Sequence, residues 1–203
     1  MKPIDLIHLQ ICLEYQLDPQ GMLVPFPGSS EQALYLVYHH TEGHVPYFSH
    51  LLPPDLCQQL LTLGPGQAFA NPGEVRRMIT AGYQPCGGGD QIFWSGYFPR
   101  QPDPSEFPDV ILQGEECVVI VEGQTVCRAV SVRQNEAAHE AYVETNPDFR
   151  QRGFGHQAVA AWAYQVMQRG QVALYSYKKT NLASAALARR LGIGWYADVI
   201  GFE

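Results

Sequence analysis

The residues of this chain best suited to chemistry are Arg150-Gln151-Arg152-Gly153-Phe154-Gly155-His156. They follow an extended run, Tyr142-Val143-Glu144-Thr145, and precede a long helical pattern, so the segment reads as strand, cationic turn and helix. Such a turn suits an anion. Gly153 and Gly155 permit close backbone approach, the helix start presents unpaired N–H groups and the positive end of its dipole, and Arg150 and Arg152 add formal charge. A phosphate or pyrophosphate is the matching ligand.

The elements that must position this turn are legible on both sides of it. Cys117–Val121 and Thr125–Val132 flank Glu122-Gly123-Gln124 as a hairpin, and His139–Thr145 continues as a strand. The helix spans about Gly153–Arg169 with Val159, Trp162, Ala163 and Val166 on one face, and Gly170 ends it. A strand Val172–Tyr177, a helix Leu182–Leu191 capped by Asn181 and closed by Gly192, and a strand Trp195–Phe202 complete the chain. The first half is less regular. Residues 4–17 suggest a short helix or an alternating strand, the helix being preferred; the proline- and glycine-rich residues 18–30 suggest a connector, and Leu34–Tyr38 with Val45–Phe48 a hairpin. One helix is expected to be opened by Pro53-Pro54-Asp55, to carry Leu56, Leu60, Leu61 and Leu63 and to be closed by Gly64-Pro65-Gly66, and another to follow an Asn71 cap with Pro72 at the first helical position. Gly87-Gly88-Gly89 reads as a flexible break before a strand Gln91–Phe98, and four prolines between Pro99 and Pro108 mark the best internal boundary. Two regions are therefore expected, residues 1–100 and 101–203.

Composition narrows the class. A 203-residue chain with 46% hydrophobic and 16% charged residues can bury a normal core. No run reaches the roughly 18 apolar residues of a membrane span, and the start lacks the build of a secretory signal, so a cytoplasmic protein without membrane partner is expected. The five cysteines are scattered without a C-x-x-C pair, which suggests neither a disulfide framework nor a zinc site. Net charge is −7, divided as −11 over residues 1–146 and +4 beyond them. A basic last third suits a polyanionic small ligand, and the acidic remainder disfavours nucleic acid. His39, His40, His44 and His50 match no metal-ligand spacing, and Tyr35, Tyr38, Tyr47 and Phe48 read as hairpin packing, so no metal is expected.

Residues 110–203 resemble the GNAT superfamily of acyl-CoA-dependent N-acetyltransferases. The resemblance joins R-x-x-G-x-G to Asn181-x-x-Ser184-x-x-Leu187-x-x-x-Leu191-Gly192 at the spacing of that family, and the second stretch is similar to a bacterial subgroup with an additional N-terminal half. Residues 31–98 look like that half. The fold implied is α+β: a mixed, mostly antiparallel splayed sheet flanked by helices in the C-terminal half, preceded by a smaller α+β region. The resemblance implies that amides around Arg152, Gly153, Phe154, Gly155 and His156 cradle the pyrophosphate of acetyl-CoA, with Arg150 at the first motif position. Val143 and Thr145 would pair with the pantetheine arm as an added strand, and Asn181 would lie further along it.

Acyl transfer from a thioester to a primary amine needs a neutral amine, a donor to the developing oxyanion and a proton for the thiolate. The family often places a glutamate at the start of the strand; here that position is His139, with Glu140 beside it. The candidate bases are Glu140, then His139, then Glu144, and strand alternation sets His139 on the opposite face from the other two. Many members carry a tyrosine seven residues after the asparagine as general acid; here it is Ala188, leaving Ser184, Tyr175 and Tyr177 as substitutes. The acceptor implied is a small-molecule or peptide amine, and a homodimer is an open option. Two other readings stand beside acetyl transfer: a non-catalytic acyl-CoA-binding module, and a dinucleotide-binding oxidoreductase, since Gly153–Ala158 also fits G-x-G-x-x-A. The latter wants an acid about 20 residues on for the ribose, and no Asp or Glu occurs between Asp148 and Asp198.

Overall fold

The structure, a computed structural model, describes residues 1–29 and 32–203. Ser30, the last residue of the expected connector, and Glu31, the first of the expected N-terminal half, lie outside them. The chain divides into two compact units, Met1–Ser95 with Tyr196–Glu203, and Gly96–Trp195. Each is α+β.

In the first unit helix α1 (Pro3–Glu14) runs into a short antiparallel pair, β1 (Tyr15–Leu17) and β2 (Leu23–Pro25). The connector thus contains a strand despite its prolines, because Pro25 stands at the strand's end, where the missing N–H costs little. The expected hairpin is β3 (Tyr35–His40) with β4 (Gly43–Phe48), and Tyr35 stacks between Phe48 at 4.8 Å and Phe202 at 5.8 Å. Helices α2 (Pro54–Leu63), α3 (Pro65–Ala70) and α4 (Pro72–Gly82) follow. The sequence pattern misses α3, since Gly64-Pro65 reads as a stop, whereas Pro65 takes the first helical position of a new turn. Asn71 does not cap α4 through its side chain; its amide donates to Gln67 Oε1 at 2.9 Å.

Strand β5 (Gly88–Tyr97) starts earlier than expected and corrects the reading of a flexible break. A side chain at Gly88 would meet the Gly201 carbonyl at 2.4 Å, and one at Gly89 the Phe202 ring at 2.6 Å, so these glycines serve close packing.

In the second unit β6 (Val110–Gln113), β7 (Glu116–Val121), β8 (Gln124–Gln134) and β9 (Ala138–Thr145) form an antiparallel meander, of which β6 carries no sequence signal. Helix α5 (Phe154–Gln168) returns the chain to β10 (Val172–Lys178), which pairs parallel with β9. Helix α6 (Leu182–Arg190) and β11 (Gly194–Phe202) complete the order; β11 passes into the first unit at Tyr196 and pairs there with β3. Four alanines favour α5 intrinsically, and its buried face, Val159, Trp162 and Val166 foremost, is worth roughly 1.5–3 kcal/mol for each large side chain removed from water. The β9–β10 ladder is brief. It pairs Val172–Leu174 with Ala138–Glu140, beyond which the strands part, and this splay opens the sheet. Of the cysteines, Cys117 and Cys127 are buried, and burial pushes the Cys117 thiol up to about 11. They act as small apolar residues.

Candidate active site

The turn after β9 is built from two left-handed residues. Gln151 (φ +62) and Gly153 (φ +88) flank Arg152, and this alternation turns successive backbone N–H groups toward one side. Ahead of it Pro147–Phe149 forms a single 3-10 turn, in which the Asn146 side chain accepts from Asp148 N at 3.1 Å. The turn is thereby held between strand and helix.

A cleft of about 850 Å³ opens over this turn. Its walls are the end of β9 (Tyr142, Val143, Glu144, Thr145), the turn and start of α5 (Phe149, Arg150, Gln151, Gly153–His156) and one face of α6 (Asn181, Ala183, Ser184, Ala186, Leu187, Arg190). The structure thus brings together Val143, Thr145, Arg150, Gly153, Phe154, Gly155, His156, Asn181 and Ser184. Asn181 caps α6, its Oδ1 accepting from Ser184 N at 3.1 Å.

The cations are arranged differently from the sequence expectation. Arg150 lines the cleft and its Nε donates to the Thr145 carbonyl at 3.2 Å. Arg152 does not line it; its guanidinium donates to the Asp148 carbonyl at 3.1 Å and lies 4.9 Å from the Phe149 ring centre. Arg190 lines it instead, with both terminal nitrogens 3.9 Å from where a Gly153 side chain would begin. Sequence reading passed over Arg190, though a signal existed: helical spacing from Ser184 leads to Leu187 and then Arg190. His156, on the first turn of α5, has its pKa lowered by burial and then by Arg190, partly offset by Glu106 at 3.9 Å.

The two leading base candidates both lie outside the cleft wall. His139 faces α5, where its Nδ1 meets Ser131 Oγ at 2.8 Å and Trp162 Nε1 donates to that oxygen at 3.0 Å. Glu140 points to the other face of β9, as alternation requires. It is 2% exposed; Oε2 accepts from Arg133 Nη1 at 2.8 Å and Oε1 accepts from the Ser176 hydroxyl of β10. Glu144 lies on the cleft wall and pairs with Arg128 at 3.1 Å, both half-exposed. Ala188 is buried and offers no acid, whereas Tyr175 is hydrogen-bonded with Ser184; burial, the main cause, raises the phenol's pKa and the Ser184 bond lowers it. Among the described residues no group of three or more His, Cys, Asp or Glu stands ready for a metal, and no helix is long and apolar enough to cross a membrane.

His139 carries a stability consequence. Burial, and then Arg169, lower its pKa from the ordinary 6.5, against the raising influence of Glu115 and Gln171. The unfolded chain therefore binds this proton more readily, and protonation favours unfolding. Stability complete above pH 6.5 is lost progressively as pH falls below that value to the lowered folded-state pKa. His139→Asn should flatten the acid limb of a melting temperature against pH profile; an unchanged slope would place the loss at other groups.

Residues 105–195 match the family model described as GNAT acetyltransferase. A search of curated proteins found no match. Among solved structures, the chain is similar to a GNAT-family acetyltransferase from Colwellia psychrerythraea, at 9% identity over 100% of this chain and 98% of that one, with a TM-score of 0.52. It is also similar to a GCN5-related N-acetyltransferase from Kribbella flavida, at 14% identity over 98% and 93% with a TM-score of 0.51. A GNAT-family protein from Novosphingobium aromaticivorans shares 14% identity over 58% of this chain and 66% of its own, at a TM-score of 0.50. These likenesses show the fold: a mixed α+β arrangement with a mostly antiparallel sheet.

Proposed function

We propose that this chain, whose residues 105–195 carry the GNAT acetyltransferase match, transfers an acetyl group from acetyl-CoA to a primary amine of a small molecule or peptide by direct attack. One observation carries the reading: the left-handed turn, the start of α5 and the capped face of α6 converge on a single cleft with Arg150 and Arg190 on its walls. That cleft fits a pyrophosphate next to an extended arm. The coenzyme supplies an acyl group already activated as a thioester. The turn's N–H groups and the dipole of the 15-residue α5 meet the phosphates, and Val143 and Thr145 offer backbone to the arm. Ser184, which lines the α6 wall of the cleft, is the hydroxyl we assign to protonate the departing thiolate. The first region we read as the N-terminal half of the bacterial subgroup, on the acceptor side, in a cytoplasmic protein.

The dinucleotide reading fits the sheet poorly. A dinucleotide fold needs parallel neighbours on both sides of the strand that leads into its glycine-rich turn, whereas β9 pairs parallel with β10 but antiparallel with β8. A non-catalytic acyl-CoA-binding module keeps one observation in its favour, the buried Ala188 where the family carries its acid. Turnover with an amine panel separates the two.

Acetyl-CoA at about 100 times its Kd should stabilise the fold by ~2.7 kcal/mol. For a chain of this size that corresponds to a rise in melting temperature of roughly 5–10 °C. NAD at the same concentration should produce none. The reverse pattern would overturn the proposal.

A further inference from the structure

Glu140 presents a chemical difficulty for any acyl transfer that uses it as base. Its carboxylate is 2% exposed, one oxygen accepts from Arg133 at 2.8 Å and the other from Ser176, so an incoming amine has no open oxygen to approach. The position of Ser176 resolves this. The β9–β10 ladder ends at the pair Glu140 and Leu174, and Ser176 stands two residues further along β10, where the strands have parted. Strand alternation puts it opposite Tyr175, which faces Ser184, and on the same side as Glu140. Unlike Glu140 it is only half-buried.

Resting on the acyl-transfer reading, we infer that Ser176 is a proton relay through which the buried Glu140 deprotonates a cationic amine at the splay. A hydroxyl that donates its one proton still has two lone pairs with which to accept. With its O–H committed to Glu140 Oε1, Ser176 presents lone pairs to an ammonium N–H. The N–H bond breaks as a new Oγ–H bond forms; the original Oγ–H breaks as Oε1–H forms. The amine keeps the electron pair and attacks the thioester carbonyl. The C–S bond then breaks as Ser184 gives its proton to the thiolate, the second nitrogen proton replaces the one on Ser184, and Glu140 returns its proton to solvent. Arg133 stabilises the carboxylate before transfer, and because its side chain is 30% exposed, water supports its charge once Glu140 is neutral. A relay that ends on a carboxylate is needed only where the amine arrives protonated, which defines the acceptor class as a primary ammonium.

Two nucleophiles separate this role from a structural one. Benzylamine is protonated at neutral pH and needs a base, whereas hydroxylamine is already neutral and does not. Thiol release from acetyl-CoA should be followed with each, using the full chain and the pair Ser176→Thr and Ser176→Val, which share a shape and differ by a hydroxyl. The valine variant should lose about 100-fold in kcat with benzylamine, the lower end of the range for general-base catalysis. Its hydroxylamine rate and KM for acetyl-CoA should stay within about twofold of wild type, and the threonine variant should recover most of the benzylamine rate. Equal losses with both nucleophiles, or an undiminished benzylamine rate in the valine variant, would overturn the relay while leaving acyl transfer in place. A wild-type chain that binds no acetyl-CoA and releases no thiol with either nucleophile would overturn both.

Discussion

Replacing Gly153 with valine should reduce acetyl-CoA affinity by about 10- to 100-fold, with the fold retained. The size follows from the conformation the turn demands. Gly153 sits at φ +88 and ψ −4, a region that costs a β-branched residue on the order of 1–3 kcal/mol, and each 1.4 kcal/mol is about tenfold in binding. The variant escapes that strain by rotating the peptide, which turns the N–H groups at the start of α5 away from the phosphates. Space is not the issue: the nearest atoms to a side chain there are the Arg190 nitrogens at 3.9 Å. Gly155 provides the contrast. It has no positive φ, and an added carbon would meet Thr145 Oγ1 at 3.5 Å and Leu187 Cδ2 at 3.9 Å in ordinary contact, so Gly155→Ala should bind far better than Gly153→Val. Calorimetric titration with acetyl-CoA, beside a circular dichroism melt, measures both. Near wild-type affinity in the valine variant would show that this turn is not the phosphate site.

Glu140→Gln should lower kcat for a protonated amine by about 10²- to 10⁴-fold, the usual worth of a general base, while acetyl-CoA affinity stays near normal. The amide keeps the shape and can still accept from Ser176, but it cannot take up the amine proton. It also sets an N–H₂ or a neutral oxygen against Arg133, so some stability is lost; the loss is moderate because Arg133 is 30% exposed. Rates with hydroxylamine separate the two effects, since destabilisation lowers both reactions and loss of a base only one. Unchanged kinetics would move the base elsewhere, with Glu144 on the cleft wall the next candidate.

Much of this site is local, and local features were legible. R-x-x-G-x-G between a strand and a helix, Asn181 as a cap and Gly170 as a stop depend on residues within a few positions of one another, because turn conformation, capping and helix dipoles act over one or two turns of chain. The helical spacing that names Arg190 from Ser184 and Leu187 is equally local. The short α3 and the start of β5 were not legible, for a physical reason. Gly64-Pro65 and Gly88-Gly89 carry the same composition as a break, and only the neighbours supplied by tertiary packing show a helix start in one case and a close backbone approach in the other.

The amino-acid sequence by itself determined the turn proposed as an anion cradle: a glycine, flanking cations and a helix start are written into consecutive residues. Only the tertiary structure decided which charges line the cleft and how Glu140 is held. Arg152 and Arg190 are equivalent as letters, yet one turns back on Phe149 and the other reaches the turn from a helix 30 residues later. Glu140 reads as an ordinary strand glutamate until β8 and β10 close over it with Arg133 and Ser176. Burial and pairing arise between strands distant in sequence, and they, rather than residue type, set what a carboxylate can do.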